Sequence, residues 1–226
     1  LLEQLRGLPN LRLIQIDHAN VMSVEGFDDA ELKSVHDLMV GTNRHRYPWV
    51  NLGIESAVGR LLEVNGARAK MGGRSAGEWG DFCMQQIRRL CAAGFFPMIS
   101  LMLRLPGETA DDLRATLDWV QRLRDLRVSV FPVLYAPIDG SAPPAASALT
   151  PLHWKLIRAC YAYNFAYIPR MYWDNQTGAG VHWSRRGLMQ VLGNGQALQW
   201  NLLFAWHARR AARSEARGRA TGERHE

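Results

Sequence analysis

From the first residues to about position 140, short β-branched or apolar runs alternate with longer stretches in which apolar residues recur every three or four positions. That rhythm predicts βα units and a parallel sheet. Four runs read as strands: Leu11 to His18, Trp49 to Ile54, Phe95 to Leu103 and Val128 to Tyr135. The first is followed by a helix with Asp28 as N-cap, Glu31 three residues on, Leu32, Val35 and Met39 on one face, and Gly41 as its end. Ser75 and Glu78 form a capping box for a helix that buries Trp79, Phe82, Cys83, Ile87, Leu90 and Cys91 and stops at Gly94. Thr109 caps the next, with Asp111 and Asp112 in its first turn and Leu113, Leu117, Val120 and Leu123 facing inward.

Strand starts near 11, 49, 95 and 128 are separated by 38, 46 and 33 residues, which suits the units of a βα barrel at roughly 31 residues each. Four such units do not close an ordinary barrel. Residues 141–151, rich in Ser, Ala and Pro, read as a linker. Beyond it, 152–226 reads as an aromatic-rich, mainly helical extension: five of the eight tryptophans lie there, 151–168 is helical in pattern, and 187–206 holds two apolar pieces around Gly193-Asn194-Gly195.

Composition narrows the class. With 47% hydrophobic and 21% charged residues the chain is globular in type. It has no run of eighteen apolar residues and no signal-peptide pattern at Leu1, so the expected location is the cytoplasm. Cys83, Cys91 and Cys160 are few, odd in number and not at CxxC spacing, which supports neither a disulfide framework nor a metal site. Of the net charge of +6, half lies after Trp206, where Arg209, Arg210, Arg213, Arg217, Arg219 and Arg224 face Glu215, Glu223 and Glu226. Such a tail is a solvated helix end or a contact for an anionic partner.

In parallel βα folds the chemistry sits at the C-terminal ends of strands. Here those ends carry Asp17, His18 and Asn20, then Glu55 and Ser56, then Ser100 and the loop from Arg104 to Thr109, then Tyr135 and Asp139. A strand-end carboxylate can accept both hydroxyls of a ribose, and Ser100 could add a second contact. The Pro106-Gly107-Glu108-Thr109 turn exposes amides at a helix start, which favours an anion. His18 reads either as a substrate-facing acid or base or as a hydrogen-bonded rim residue. The remaining histidines, His36, His45, His153, His182, His207 and His225, have no ligand spacing and read as surface or packing residues.

Two segments resemble a known family. Leu52-Gly53-Ile54-Glu55-Ser56 with Arg60-Leu61-Leu62 and Asn65-Gly66, then Ala93-Gly94-Phe95 running into Leu105-Pro106-Gly107-Glu108-Thr109, resemble segments of the radical S-adenosylmethionine (radical SAM) superfamily. The likeness covers roughly residues 11–140 and extends to its cobalamin-dependent group. It implies a partial (βα)6 TIM-like barrel of which strands three to six are present, binding S-adenosylmethionine beside a [4Fe-4S] cluster to generate a 5′-deoxyadenosyl radical. Methyl transfer or another radical modification would follow, with flavodoxin or ferredoxin as reducing partner and cobalamin use left open. Carried over by position, Glu55 would contact the ribose, Ser100 would add a polar contact and Arg68 would hold the methionine carboxylate. Gly53, Ser56, Pro106 and Gly107 complete the implied cofactor site, and His18 is the candidate catalytic group.

The departures are as informative. The superfamily's CxxxCxxC and its GGE turn are absent, and Arg104 stands where a glycine precedes Leu-Pro. Both missing motifs belong to the first two barrel strands, about 60 residues at the unit length above. The expectation is therefore the C-terminal part of a longer enzyme, inactive alone because the cluster ligands lie outside it. The rival reading is a noncatalytic module that holds nucleic acid or a partner protein through the half-barrel and basic tail. Contact with nucleic acid or membrane is not the favoured expectation for the enzyme: the apolar residues of 198–206 do not keep one clean face.

Overall fold

The computed structural model describes residues 1–226 except 13, 16, 43–45, 138, 141, 143 and 223–226, and side chains except those of 146 and 218–222. His45, His225, Arg224, Glu223 and Glu226 thus lie outside the described residues, as does Ile138 in the turn after the last strand.

Twelve helices and strands are described in chain order: α1 (Leu2–Arg6), β1 (His18–Ala19), α2 (Val21–Glu25), α3 (Asp29–Val40), β2 (Trp49–Glu55), α4 (Gly59–Val64), α5 (Ala76–Ala93), β3 (Phe96–Leu103), α6 (Ala110–Gln121), β4 (Ser129–Leu134), α7 (Pro151–Gly178) and α8 (Trp183–Gly222). The strands form one parallel sheet in the order β1-β2-β3-β4, so the chain is an α/β fold. The capping logic holds at each expected helix: Asp28 with Glu31, Ser75 with Glu78 and Thr109 with Asp112 form reciprocal boxes. Gly94 takes the left-handed conformation at φ 106° that ends α5.

Burial alternates along β2 and most of β3. Val50, Leu52 and Ile54, with Ile99, Leu101 and Leu103, face the helices in one apolar cluster with Trp79, Ile87 and Leu117. The opposite face is half-exposed and carries Asn51, Gly53, Glu55, Met98, Ser100, Met102 and Phe131. A parallel sheet ordinarily has both faces covered; this one is packed by helices mainly on one side.

Two expectations change. Among the described residues the first run yields only the two-residue β1, paired His18 with Asn51 and Ala19 with Leu52 and opened by the ladder bond from Asn51 N–H to Asp17 C=O at 2.9 Å; residues 13 and 16 of the run lie outside the described residues. Ahead of it Ile14 donates its N–H to Met39 C=O at 3.0 Å, at the end of α3 and not to β2. The two apolar pieces around Gly193-Asn194-Gly195 are one continuous helix, α8; the tertiary packing of α8 on α7 outweighs a cost of about 1 kcal/mol per glycine.

The helix α7 runs against the strand direction. Its N-cap Thr150 and His153 lie beside Glu108, past the end of β3. Farther along, Asn164 meets Val130, Tyr167 meets Phe96 at 6.0 Å between ring centroids, and Asp174 accepts the N–H groups of Arg46 and Tyr47 ahead of β2. Trp154, Leu156, Ile157 and Cys160 join the same buried cluster as the sheet. The aromatic residues of this segment largely pack: Tyr163 donates its hydroxyl to Val120 C=O, and Tyr161 and Trp154 contact Phe204 of α8.

Candidate functional site

The half-exposed sheet face gathers several of the residues singled out in the sequence. Gly53, Ser100 and Phe131 sit side by side in one row across β2, β3 and β4. After that row β2 bulges: the register shifts between Gly53 and Glu55, and Glu55 takes φ 62°, a left-handed conformation that costs a non-glycine residue roughly 1–2 kcal/mol. The bulge turns the Glu55 carboxylate back over Gly53. A Cβ at Gly53 would lie 2.8 Å from Glu55 Oε1, so a larger residue there would push the carboxylate aside. Lys70 Nζ donates to Glu55 Oε1, both side chains being three-quarters buried.

Lys70 was not foreseen as a site residue. Arg68, two positions earlier, is 79% exposed and lies 3.9 Å from Glu63, so it points out while Lys70 points in. The cause is the tight 3-10 turn Arg68–Met71, anchored by the fully buried Met71. Periodicity read as α-helix or loop gives no means of choosing between the two cations.

Ser56 is buried and turned to local structure. Its hydroxyl accepts Val58 N–H at 2.9 Å and donates to Val58 C=O at 3.2 Å, while its carbonyl accepts Trp79 Nε1–H at 2.8 Å. It fixes the exit from β2 into α4. His18 lies on the sheet face but one pleat row before Gly53, opposite Asn51, with its Nδ1 3.0 Å from Asp17 Oδ2 and its side chain 78% exposed. It is thus not at the same level as Glu55; the carboxylate it touches is itself tied to Asn51 Nδ2 at 2.7 Å.

The turn after β3 is built by α4. Pro106 C=O accepts Asn65 Nδ2–H at 3.0 Å, and Gly107 C=O accepts Arg60 Nη2–H at 3.0 Å. Arg60 also pairs with Asp112 in the first turn of α6. Gly107 needs its freedom, at φ 77°. The two separate sequence segments, Gly53 to Gly66 and Leu105 to Thr109, are therefore in direct contact, and Arg60 and Asn65 are the side chains that join them. Arg104, preceding this turn, adopts φ 64°, the conformation a glycine there would hold without strain.

Behind the turn lies a buried polar chain. Glu108 Oε2 accepts Arg104 N–H at 3.1 Å, and Glu108 Oε1 is 2.8 Å from His153 Nε2. His153 Nδ1 accepts Thr150 N–H at 3.2 Å, which leaves Nε2 as the donor to Glu108. His153 is 2% exposed, so it is a packing residue as expected, but one that links α7 to the turn. This chain borders a cleft of about 910 Å³ lined also by Arg104, Trp154, His207 and Arg210.

Among the described residues no group of three His, Cys, Asp or Glu side chains could hold a metal ion. Burial pushes the thiols of Cys83 and Cys160 up to about 12 and that of Cys91 up to about 11, far from the thiolate a cluster ligand must be. No family model matches the chain, and no curated protein matches it.

Proposed function

We propose that the chain is the cofactor- and substrate-holding part of a radical SAM enzyme, the sheet being four strands of a partial (βα)6 barrel whose half-exposed face is the lumen. The observation that supports this most is the Glu55 bulge: a strained residue at a strand end holds a carboxylate over a glycine floor, beside Lys70 and the Ser100 row. Strain of that kind is retained where the surrounding structure fixes it for a purpose. In this reading Glu55 receives the two ribose hydroxyls of S-adenosylmethionine, Lys70 takes the role toward the methionine carboxylate that the resemblance gives to Arg68, and the Pro106–Glu108 turn borders the purine.

A [4Fe-4S] cluster does not fit the residues of this chain, so its ligands would have to come from outside these 226 positions, and no step is derived through it. When bound together in such enzymes, cluster and S-adenosylmethionine supply a hydrogen-abstracting carbon radical; the residues described here would bind and orient. Lys70 would exchange its pairing with Glu55 for the ligand carboxylate, and Glu55 would gain two hydroxyl hydrogen bonds in its place.

Equilibrium dialysis with S-adenosylmethionine tests the reading. The chain should bind it, Glu55→Ala should weaken binding about 10-fold or more, as expected for loss of a charge-assisted hydrogen bond, Lys70→Ala should weaken it similarly, and Arg68→Ala should leave it unchanged. Absence of binding by the parent chain at millimolar ligand, or equal effects of Arg68→Ala and Lys70→Ala, would overturn the assignment. The noncatalytic alternative draws on the exposed basic stretch of α8; binding of a nucleic acid without S-adenosylmethionine binding would favour it.

A further inference from the structure

The turn that follows β3 enters the left-handed region twice, at Arg104 (φ 64°) and at Gly107 (φ 77°), and only the glycine does so without strain. Three neighbours hold it. From α4, Asn65 and Arg60 take the carbonyls of Pro106 and Gly107. Beyond β4, Tyr135 donates its N–H to Leu103 C=O at 2.9 Å. The strained residue itself is tied by neither: its N–H goes to Glu108 Oε2, and Glu108 Oε1 goes to His153 of α7.

We infer that His153 is a positioning residue for the cofactor site: acting through Glu108, it keeps the Arg104–Glu108 turn in the shape that borders the purine. This rests on the S-adenosylmethionine reading above and makes α7, which lies outside the sheet, a working part of that site. The argument is one of donors and burial. The side chains of His153 and Glu108 are 3 and 7% exposed, and among the described residues the carboxylate is hydrogen-bonded to the imidazole and to one backbone N–H but to no Lys or Arg. A charge so placed is tolerated only while its oxygens keep their donors. If the imidazole is removed, the carboxylate turns toward water and releases the Arg104 N–H with it.

The imidazole in turn has little freedom. Its Nδ1 accepts Thr150 N–H and lies 2.7 Å from the Thr150 hydroxyl, in the capping box that starts α7. The position of the first turn of α7 is thereby passed to Glu108 and on to the residue that leaves β3. Farther along, α7 is fastened to the sheet independently, through Asn164 on Val130, which supplies a control.

Equilibrium dialysis with S-adenosylmethionine on the whole chain, with amide hydrogen exchange read at Arg104 and Gly107, tests the inference. Glu108→Gln keeps the shape but sets an amide N–H₂ against one of the two donors; His153→Phe keeps the ring and removes both nitrogens. Each should weaken binding about 10-fold and accelerate exchange at Arg104, and the double variant should be no worse than either single one, because the two residues act as one unit. Asn164→Leu should lower the melting temperature yet leave the affinity of the folded chain within about twofold, since it loosens α7 away from the turn. Should His153→Phe fail to fold, the isosteric Glu108→Gln decides alone. Binding by the parent with unchanged affinity in Glu108→Gln, additive losses in the double variant, or an equal loss in Asn164→Leu would overturn the positioning role and leave the S-adenosylmethionine reading standing. A parent chain that does not bind S-adenosylmethionine overturns both.

Discussion

At the scale of single residues, the backbone at two strand ends is held where L-residues pay for it. Glu55 and Arg104 both have φ near 60°, yet they differ in what their side chains do. The Glu55 side chain is committed to Lys70, whereas the turn at Arg104 uses only its backbone N–H, donated to Glu108. Arg104→Gly should therefore stabilise the fold by about 0.5–1 kcal/mol, the left-handed penalty less the glycine entropy of the unfolded chain, measured as a shift in urea midpoint at constant slope. Asp112 supplies a second test. Burial alone would raise its carboxyl, but hydrogen bonds from Thr109 and the ion pair with Arg60 outweigh it and hold the group below the usual range. A depressed folded-state value means stability that is present above the unfolded value of about 4 and lost as pH falls through the folded one. Asp112→Asn should remove that acid-side slope and cost about 1–2 kcal/mol at neutral pH, read from denaturation at pH 7 and pH 3.

At the scale of elements, the reading from sequence succeeds where the determinant is local. Asp28, Ser75, Thr109 and Gly94 define helix ends through contacts three residues away or through their own dihedral angles, so they are visible in the string. It fails where a distant contact decides. The place where β1 begins depends on Ile14 bonding to Met39 and not to β2, the unity of α8 depends on α7, and the choice of Lys70 over Arg68 depends on a turn pinned by Met71. The same limit hid Asn164, buried in α7. Its side chain donates to Val130 C=O and accepts Val130 N–H, each at 2.7 Å, and so pairs the edge of β4 as a neighbouring strand would. Asn164→Leu would leave both backbone groups unmatched in an apolar setting and should destabilise by about 2–4 kcal/mol, with hydrogen exchange at Val130 accelerated to match.

At the scale of the whole molecule, a sheet with one half-exposed face and a long helix with one open side coexist in the chain. Neither depends on the other, and their chemistry differs: the sheet face is lined by Asn51, Glu55 and Ser100 among apolar residues, whereas α8 is uncharged from Gly187 to Ala208, with Arg185 and Arg186 before that stretch and Arg209 after it. No described helix is long and apolar enough to cross a membrane. A contact made by the arginines of α8 with a polyanion should weaken steeply between about 50 and 500 mM NaCl, read as the salt dependence of its dissociation constant. The amide of Asn164 carries a last implication. By occupying both bonding groups of Val130 it acts as a terminator: at that position a further strand finds no free N–H or C=O on β4 to pair with.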